Sequence, residues 1–270
     1  MIIYSDKKLR EVKYFKVNIF NDFRGQIWTF WEKKYFKNIK FNLDKFTLSK
    51  KNVLRGFHGD RKSWRLITCV KGEVLNVIVD FRPNSKNYLK FSSFRLNDKN
   101  KTLVNMIIYS DKKLREVKYF KVNTFNDFRG QIWTFWEKKY FKNIKFNLDK
   151  FTLSKKNVLR GFHGDRKAWK LVTCVKGEML NVIVDFRPNS KNYLKFSSFK
   201  LNDKNKTSVL IPPMFLNSWL CLSKEALSAY KWSFKGKYVD AKDQISVKWN
   251  DPKINYKWPI KKPILSKRDK

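Results

Sequence analysis

Residues 1–104 of this chain recur at 106–209 with a constant offset of 105 and only seven differences. The differences are Ile19/Thr124, Ser63/Ala168, Arg65/Lys170, Ile67/Val172, Val74/Met179, Arg95/Lys200 and Leu103/Ser208. Solenoid units diverge far more than this, so the pattern is a recent duplication and not a repeat array. The second copy opens on its own methionine, Met106, and only that copy continues, through residues 210–270. The chain therefore reads as a partial unit, 1–105, ahead of a complete unit, 106–270. The partial unit lacks about a third of its strands and leaves sheet edges open. It must borrow strands from a neighbouring chain, cover a dimer surface or stay loosely folded. The complete unit is expected to fold and act without it.

The complete unit carries strand signals. Residues 170–175, the pair Lys176-Gly177 and residues 178–185 read as two β-runs around a tight turn. Val182, Ile183 and Val184 are β-branched, and Arg187-Pro188-Asn189-Ser190 closes the run with turn chemistry. Further runs lie at 193–201, 209–211, 219–222, 227–234 and 245–249. Short strands at this spacing predict an all-β sandwich or barrel. Helical pattern is scarce, and residues 136–142 are the best candidate for a helical turn.

Hydrophobic content of 42% and aromatic content of 17% are those of a globular protein. No apolar run approaches the roughly 20 residues of a membrane helix. With no apolar signal core near Met1, a cytoplasmic location is expected. Cys69, Cys174 and Cys221 lie in strand-like runs without metal-ligand spacing, and each copy holds one histidine, so no catalytic metal is expected. The net charge of +38 raises a nucleic-acid partner. Its lysines are scattered through every segment, however, which argues against that partner and fits a general background basicity. The charge still favours an anionic substrate.

The chain's two histidines, His58 and His163, sit at one equivalent place in the copies. His163 lies in Asn157-Val158-Leu159-Arg160-Gly161-Phe162-His163-Gly164-Asp165, with Lys170 shortly after. From chemistry alone two readings stand: a catalytic base, or a histidine packed and hydrogen-bonded within a sheet.

The wider pattern decides between them. The chain resembles the dTDP-4-dehydrorhamnose 3,5-epimerases from about Lys121 to Asp269. The resemblance rests on Phe125-Asn126-Asp127-Phe128-Arg129-Gly130, the histidine stretch, Gly177-Glu178, Val184-Asp185-Phe186-Arg187, Tyr230-Lys231, Trp249-Asn250-Asp251 and Leu265-Ser266-Lys267-Arg268-Asp269. It implies a cupin jelly roll without cofactor, a nucleotide-diphosphate sugar as substrate, and a homodimer with exchanged N-terminal strands. It also implies roles. His163 matches the base that removes a proton beside a keto group, and Asp269 the carboxylate that orients it. Lys170 matches the cation that stabilises the enolate. Arg129 and Arg160 match residues that hold the diphosphate.

The departures from the family pattern are specific. Asn217 stands in place of a second histidine at the substrate. Leu148 and Lys150 replace a Gln and Asn pair, and Thr134 replaces a glutamate. The reprotonating tyrosine is expected a few residues after Tyr230-Lys231, where Tyr238 is the nearest. The wording around His163 looks closer to relatives that act on other nucleotide-sugars, such as GDP-linked heptoses. Alternatives are a degenerate cupin that only binds nucleotide-sugars and a basic nucleic-acid-binding protein. The first copy keeps His58, Arg24 and Arg55 but has Arg65 at the Lys170 position and no counterpart of Asp269, so His163 is the expected base.

Overall fold

The computed structural model describes residues 2–5, 13–16, 19–36, 39–59, 64–97, 107–110, 116–121, 124–234 and 244–270. It forms two compact units that cut across the repeat: residues 1–18 with 50–102, and residues 19–49 with 103–270. These compact units do not follow the two copies. The cause is strand pairing between the copies.

The first copy contributes β1 (Ile2–Ser5), β2 (Lys13–Lys16), β3 (Ile19–Asp22), β4 (Gly25–Glu32), β5 (Leu43–Ser49), β6 (Glu73–Val79) and β7 (Phe91–Asn97). In the smaller unit β1 pairs with β2, and β6 with β7. The second copy contributes β8 (Ile107–Ser110), β9 (Lys118–Lys121), β10 (Thr124–Asp127), β11 (Gly130–Glu137), β12 (Leu148–Lys155) and β13 (Leu159–Gly164). It continues with β14 (Trp169–Lys176), β15 (Glu178–Asp185), β16 (Phe196–Asn202), β17 (Ser208–Ile211), β18 (Phe215–Cys221), β19 (Glu225–Ser233) and β20 (Ile245–Ser246). The expected helical turn is a 3-10 turn at Lys138–Phe141.

The larger unit holds an eight-stranded sheet in the order β3-β4-β12-β19-β14-β17-β9-β8 and a five-stranded sheet in the order β16-β15-β18-β13-β20. Their inner faces meet in a core containing Val172, Cys174 and Val209 from the first sheet, and Met179, Ile183 and Cys221 from the second. This is the all-β sandwich read from the sequence. The turn at Lys176-Gly177 lies between two strands as read, but β14 and β15 do not pair with each other. It carries the chain from one sheet to the other. Gly177 sits at φ +79°, where a Cβ would lie 2.2 Å from the Glu225 carbonyl oxygen. Its N–H donates to Asp203, and that of Glu178 donates to the Ser223 hydroxyl. The corner is fixed by cross-strand groups instead of a two-residue loop.

Copied sequence takes different structure where partners differ. β15 lies between β16 and β18, whereas among the described residues its counterpart β6 pairs with β7 alone. The first copy has no equivalent of β18. Met179 is accordingly 1% exposed, and Val74 at the equivalent position is 42% exposed.

The two copies exchange strands reciprocally within the larger unit. β4 of the first copy pairs antiparallel with β12 of the second, and β11 of the second pairs with β5 of the first. The registers are the same after the offset: Trp28 opposes Phe151, and Trp133 opposes Phe46. Phe46 and Phe151 meet at 6.3 Å between ring centroids, and each also packs on the tryptophan opposite. Burying such aromatic side chains contributes roughly 1.5–3 kcal/mol apiece. Beside them Lys231 is buried between Asp149, at 2.8 Å, and Asp44, the equivalent residue of the first copy. The Trp136 ring lies 4.5 Å from the same ammonium. Burial pushes the Asp149 carboxyl up, against the pull of Lys231 and with the push of Asp44. Removing the lysine leaves two buried carboxylates facing each other. Lys231→Ala is expected to cost about 3–5 kcal/mol of stability in a denaturant titration, and a loss below 1 kcal/mol would show that water replaces the ammonium.

Candidate active site

The site lies on the facing surfaces of the two sheets of the larger unit. On β13, residues Arg160 and His163 oppose Trp219 and Asn217 of β18. Three steps along β13 thus match two along β18, and this irregularity brings Arg160 and His163 onto one face. Gly161 occupies the irregularity at φ +111°, where a Cβ would lie 2.5 Å from the Asn217 carbonyl oxygen. Phe162 turns to the other side and is fully buried with Val182, Val184 and Leu216.

His163 Nε2 lies 2.8 Å from Asp269 Oδ1, and the imidazole is 23% exposed while the carboxylate is fully covered. Asp269 reaches this place on the 3-10 turn Lys267–Asp269. It also accepts hydrogen bonds from the Gly161 N–H at 3.2 Å and the Ser266 hydroxyl at 2.6 Å. Burial opposes its ionisation, but His163 and these donors outweigh burial and hold its carboxyl below the ordinary value. Burial lowers the pKa of His163; Asp269 opposes that, and Arg268 and Lys170 add to it. The pair is a neutral imidazole beside an ionised carboxylate. With Nε2 turned to Asp269, Nδ1 is the nitrogen that can take a proton.

The opposite wall comes from β12, β14 and β19. Lys150 and Val172 both oppose Tyr230, and Lys170 opposes Trp232. Val172 and Tyr230 belong to the core between the sheets, which places Lys170, Lys150 and Tyr230 on the inner face. The Lys170 ammonium stands 5.0 Å from the Trp232 ring centroid. Burial, reinforced by Arg268 against Asp165, lowers its pKa to about 8. Lys150 is likewise lowered to about 8, by burial and then by Lys170, with Glu32 of the first copy opposing.

Arg160 donates from Nε to the Ser154 hydroxyl at 3.1 Å. Burial and then the neighbouring Arg24 bring its pKa down to about 10. Arg24 belongs to the first copy, on the turn between β3 and β4. Its guanidinium bonds Asp22 at 2.9 Å and lies 3.5 Å from Asp269 Oδ2. Two crowded guanidinium groups with a covered carboxylate behind them suit an anionic group of a ligand.

The predicted residues thus divide. His163, Asp269, Lys170 and Arg160 come together, and Asn217 stands across from His163 with its Oδ1 accepting from Asn181 at 2.6 Å. Arg129 does not join them: its Nε bonds Asp127 at 2.9 Å, and its turn borders β5 instead of β12. Arg24, its equivalent in the first copy, takes that place because the strands are exchanged. Tyr238 lies outside the described residues. The sequence reading missed Arg24 as a site residue, and it passed over Lys150 and Tyr230, whose two-residue spacing from buried strand positions was the available signal. His58 of the first copy is exposed. Among the described residues no helix is long and apolar enough to cross a membrane.

Known proteins place this site in a family. The family model for dTDP-4-dehydrorhamnose 3,5-epimerase matches the chain over residues 6–106 and again over 111–270. The chain is 32% identical to the dTDP-4-dehydrorhamnose 3,5-epimerase of Shigella flexneri over 165 residues, 58% of this chain and 90% of that protein. It is also 32% identical over 124 residues to the dTDP-4-dehydrorhamnose 3-epimerase of Streptomyces niveus, 44% of this chain and 57% of that protein. Among solved structures, the dTDP-6-deoxy-D-glucose-3,5-epimerase of Legionella pneumophila in complex with dTDP-4-keto-L-rhamnose has a TM-score of 0.55 and 30% identity, covering 61% of this chain and 90% of its own. By the family-model match over both copies and these likenesses, the chain belongs to the dTDP-4-dehydrorhamnose 3,5-epimerase family.

Proposed function

We propose that the site of the larger unit inverts C3, C5 or both in a 4-keto-6-deoxy sugar carried on a nucleoside diphosphate. The observation that carries this reading is the half-buried His163 backed by ionised Asp269, with Lys170 and Tyr230 on the facing sheet. His163 Nδ1 takes the proton from the carbon beside the keto group. The C–H electron pair moves into the carbonyl, and the negative charge collects on the keto oxygen. Lys170 supplies the cation that stabilises this enolate, and Asp269 stabilises the imidazolium that forms. Arg160 and Arg24 hold the diphosphate.

Inversion requires a proton delivered from the other face. His163 stands on the five-stranded sheet and Tyr230 on the eight-stranded one, so a sugar between them has the two groups on opposite sides. Tyr230 is the donor in this reading; its phenolate and the imidazolium are reset by solvent. The Shigella and Streptomyces relatives are named for two-carbon and one-carbon epimerisation, and the chemistry drawn here serves either.

In deuterated water with a dTDP-linked 4-keto-6-deoxy sugar, deuterium is expected to enter at C3, C5 or both, and His163→Ala to abolish its entry. Binding of dTDP without any exchange would instead make the chain a nucleotide-sugar binder. Lys170→Ala is expected to lower turnover roughly 100- to 1000-fold, with little change in nucleotide affinity; the reverse split would make Lys170 a binding cation.

The pH profile follows from the two shifts. The base must be neutral, so kcat/KM is expected to fall on the acid side as pH drops through a His163 value below 6.5. Lys170 must be charged, so activity falls again as pH rises past about 8. An acid limb above pH 7 would contradict this assignment.

Tyr230→Phe is expected to suppress product while leaving proton abstraction detectable, since the base can still return deuterium to the near face. That phenotype in Tyr238→Phe, with Tyr230→Phe active, would transfer the donor role to Tyr238.

A further inference from the structure

We infer that residues 19–49, although part of the first copy, complete the second copy's site in cis, so that a single chain carries the strands a second molecule would otherwise have to lend. The homodimer expected from the sequence is then unnecessary for the site.

The first argument is one of pairing. The edge of β12 next to the site is covered by β4, from Gly25 opposite Ser154 to Thr29 opposite Lys150 and, past a bulge at Phe30, from Trp31 opposite Asp149 to Glu32 opposite Leu148. Gly25 permits the approach: at φ +136° a Cβ would lie 2.0 Å from the Leu153 carbonyl oxygen. Gly130 makes the same approach to Leu48, at the same distance. β4 and β11 share the sequence Gly-Gln-Ile-Trp-Thr-Phe-Trp-Glu, and β5 matches the first seven residues of β12. The sequence therefore allows β11 to sit on β12 of another chain. Here β11 is occupied by β5 and β12 by β4, so both halves of the exchange are satisfied inside one chain.

The second argument is chemical. Arg24 is the guanidinium brought to Asp269 and Arg160, whereas Arg129 bonds Asp127 on the turn beside β5. Without residues 19–49 the His163 site would have one arginine at this place instead of two. The two carboxylates around Lys231 follow the same plan, because Asp44 from the borrowed strands completes a cluster that Asp149 begins. The assignment of Arg24 to the substrate diphosphate rests on the epimerase reading; the pairing does not.

The test uses two double-cysteine variants of the full chain. Gln26 opposes Leu153 in the observed register, while Gln131 would oppose Leu153 only if β11 of one chain lay on β12 of another. The native cysteines are buried. Under mild oxidation Gln26→Cys with Leu153→Cys is expected to link within one chain, leaving a 32.6 kDa species that has lost two free thiols. Gln131→Cys with Leu153→Cys is expected to stay unlinked. A covalent dimer from either variant, or no link in the first, overturns the inference. These outcomes hold whatever the chain catalyses. For the chemical half, dTDP titration is expected to show binding weakened about tenfold or more by Arg24→Ala and unchanged by Arg129→Ala. The opposite ranking overturns the role of Arg24 in cis. If the unsubstituted chain binds no dTDP, the epimerase reading fails while the cross-linking result stands.

Discussion

The backbone pairing of β4 with β12 is the contact on which the rest of the larger unit depends. An uncovered β12 would present a row of unpaired N–H and C=O groups beside the site and a face of exposed aromatics behind it. Covering that edge also delivers Arg24 to one end of the interior, and Trp28 and Phe46 to the layer behind. Pairing, packing and ligand-facing charge are therefore set by one register. A one-residue slip would reverse every one of those side chains.

That register also explains the electrostatics. The interior gathers Arg24, Arg160, Lys150 and Lys170, with Asp22 and Asp269 beside the arginines, Glu32 near Lys150 and Asp165 near Lys170. Burial and mutual repulsion lower the pKa of Arg160 and both lysines. Asp269 lies against His163, Arg24, Ser266 and the Gly161 N–H, so one acid serves both the base and a guanidinium. Burial first, and then Arg268 and Lys170, push the His163 pKa down, while His163, the Ser266 hydroxyl and the Gly161 N–H hold the Asp269 carboxyl down.

Much of this was legible in the residues. β-branched runs gave the strands, and His163, Arg160 and Asp269 were singled out together by family resemblance. What failed did so for a physical reason. Lys176-Gly177 has the local chemistry of a hairpin turn, but whether a turn joins partners or changes sheets depends on distant groups such as Asp203 and Ser223. Arg129 and Arg24 sit in identical local sequence, Asp-Phe-Arg-Gly, and no local signal distinguishes which one meets Asp269. Only the order of strands decides that, and strand order is a property of the whole chain. Val74 and Met179 make the same point from the side of burial.

Reciprocal exchange has an evolutionary consequence. Once strands have crossed between the copies, natural selection no longer sees each copy as a single object. Residues 19–49 answer to a working site and a shared aromatic layer, whereas residues 50–102 belong to another compact unit. Substitutions should then accumulate unevenly along the first copy. Only one of the seven differences between the copies, at position 19, falls within 19–49, and the other six lie from position 63 onward. Five of the seven differences fall within residues 50–102 of the first copy, outside the larger unit.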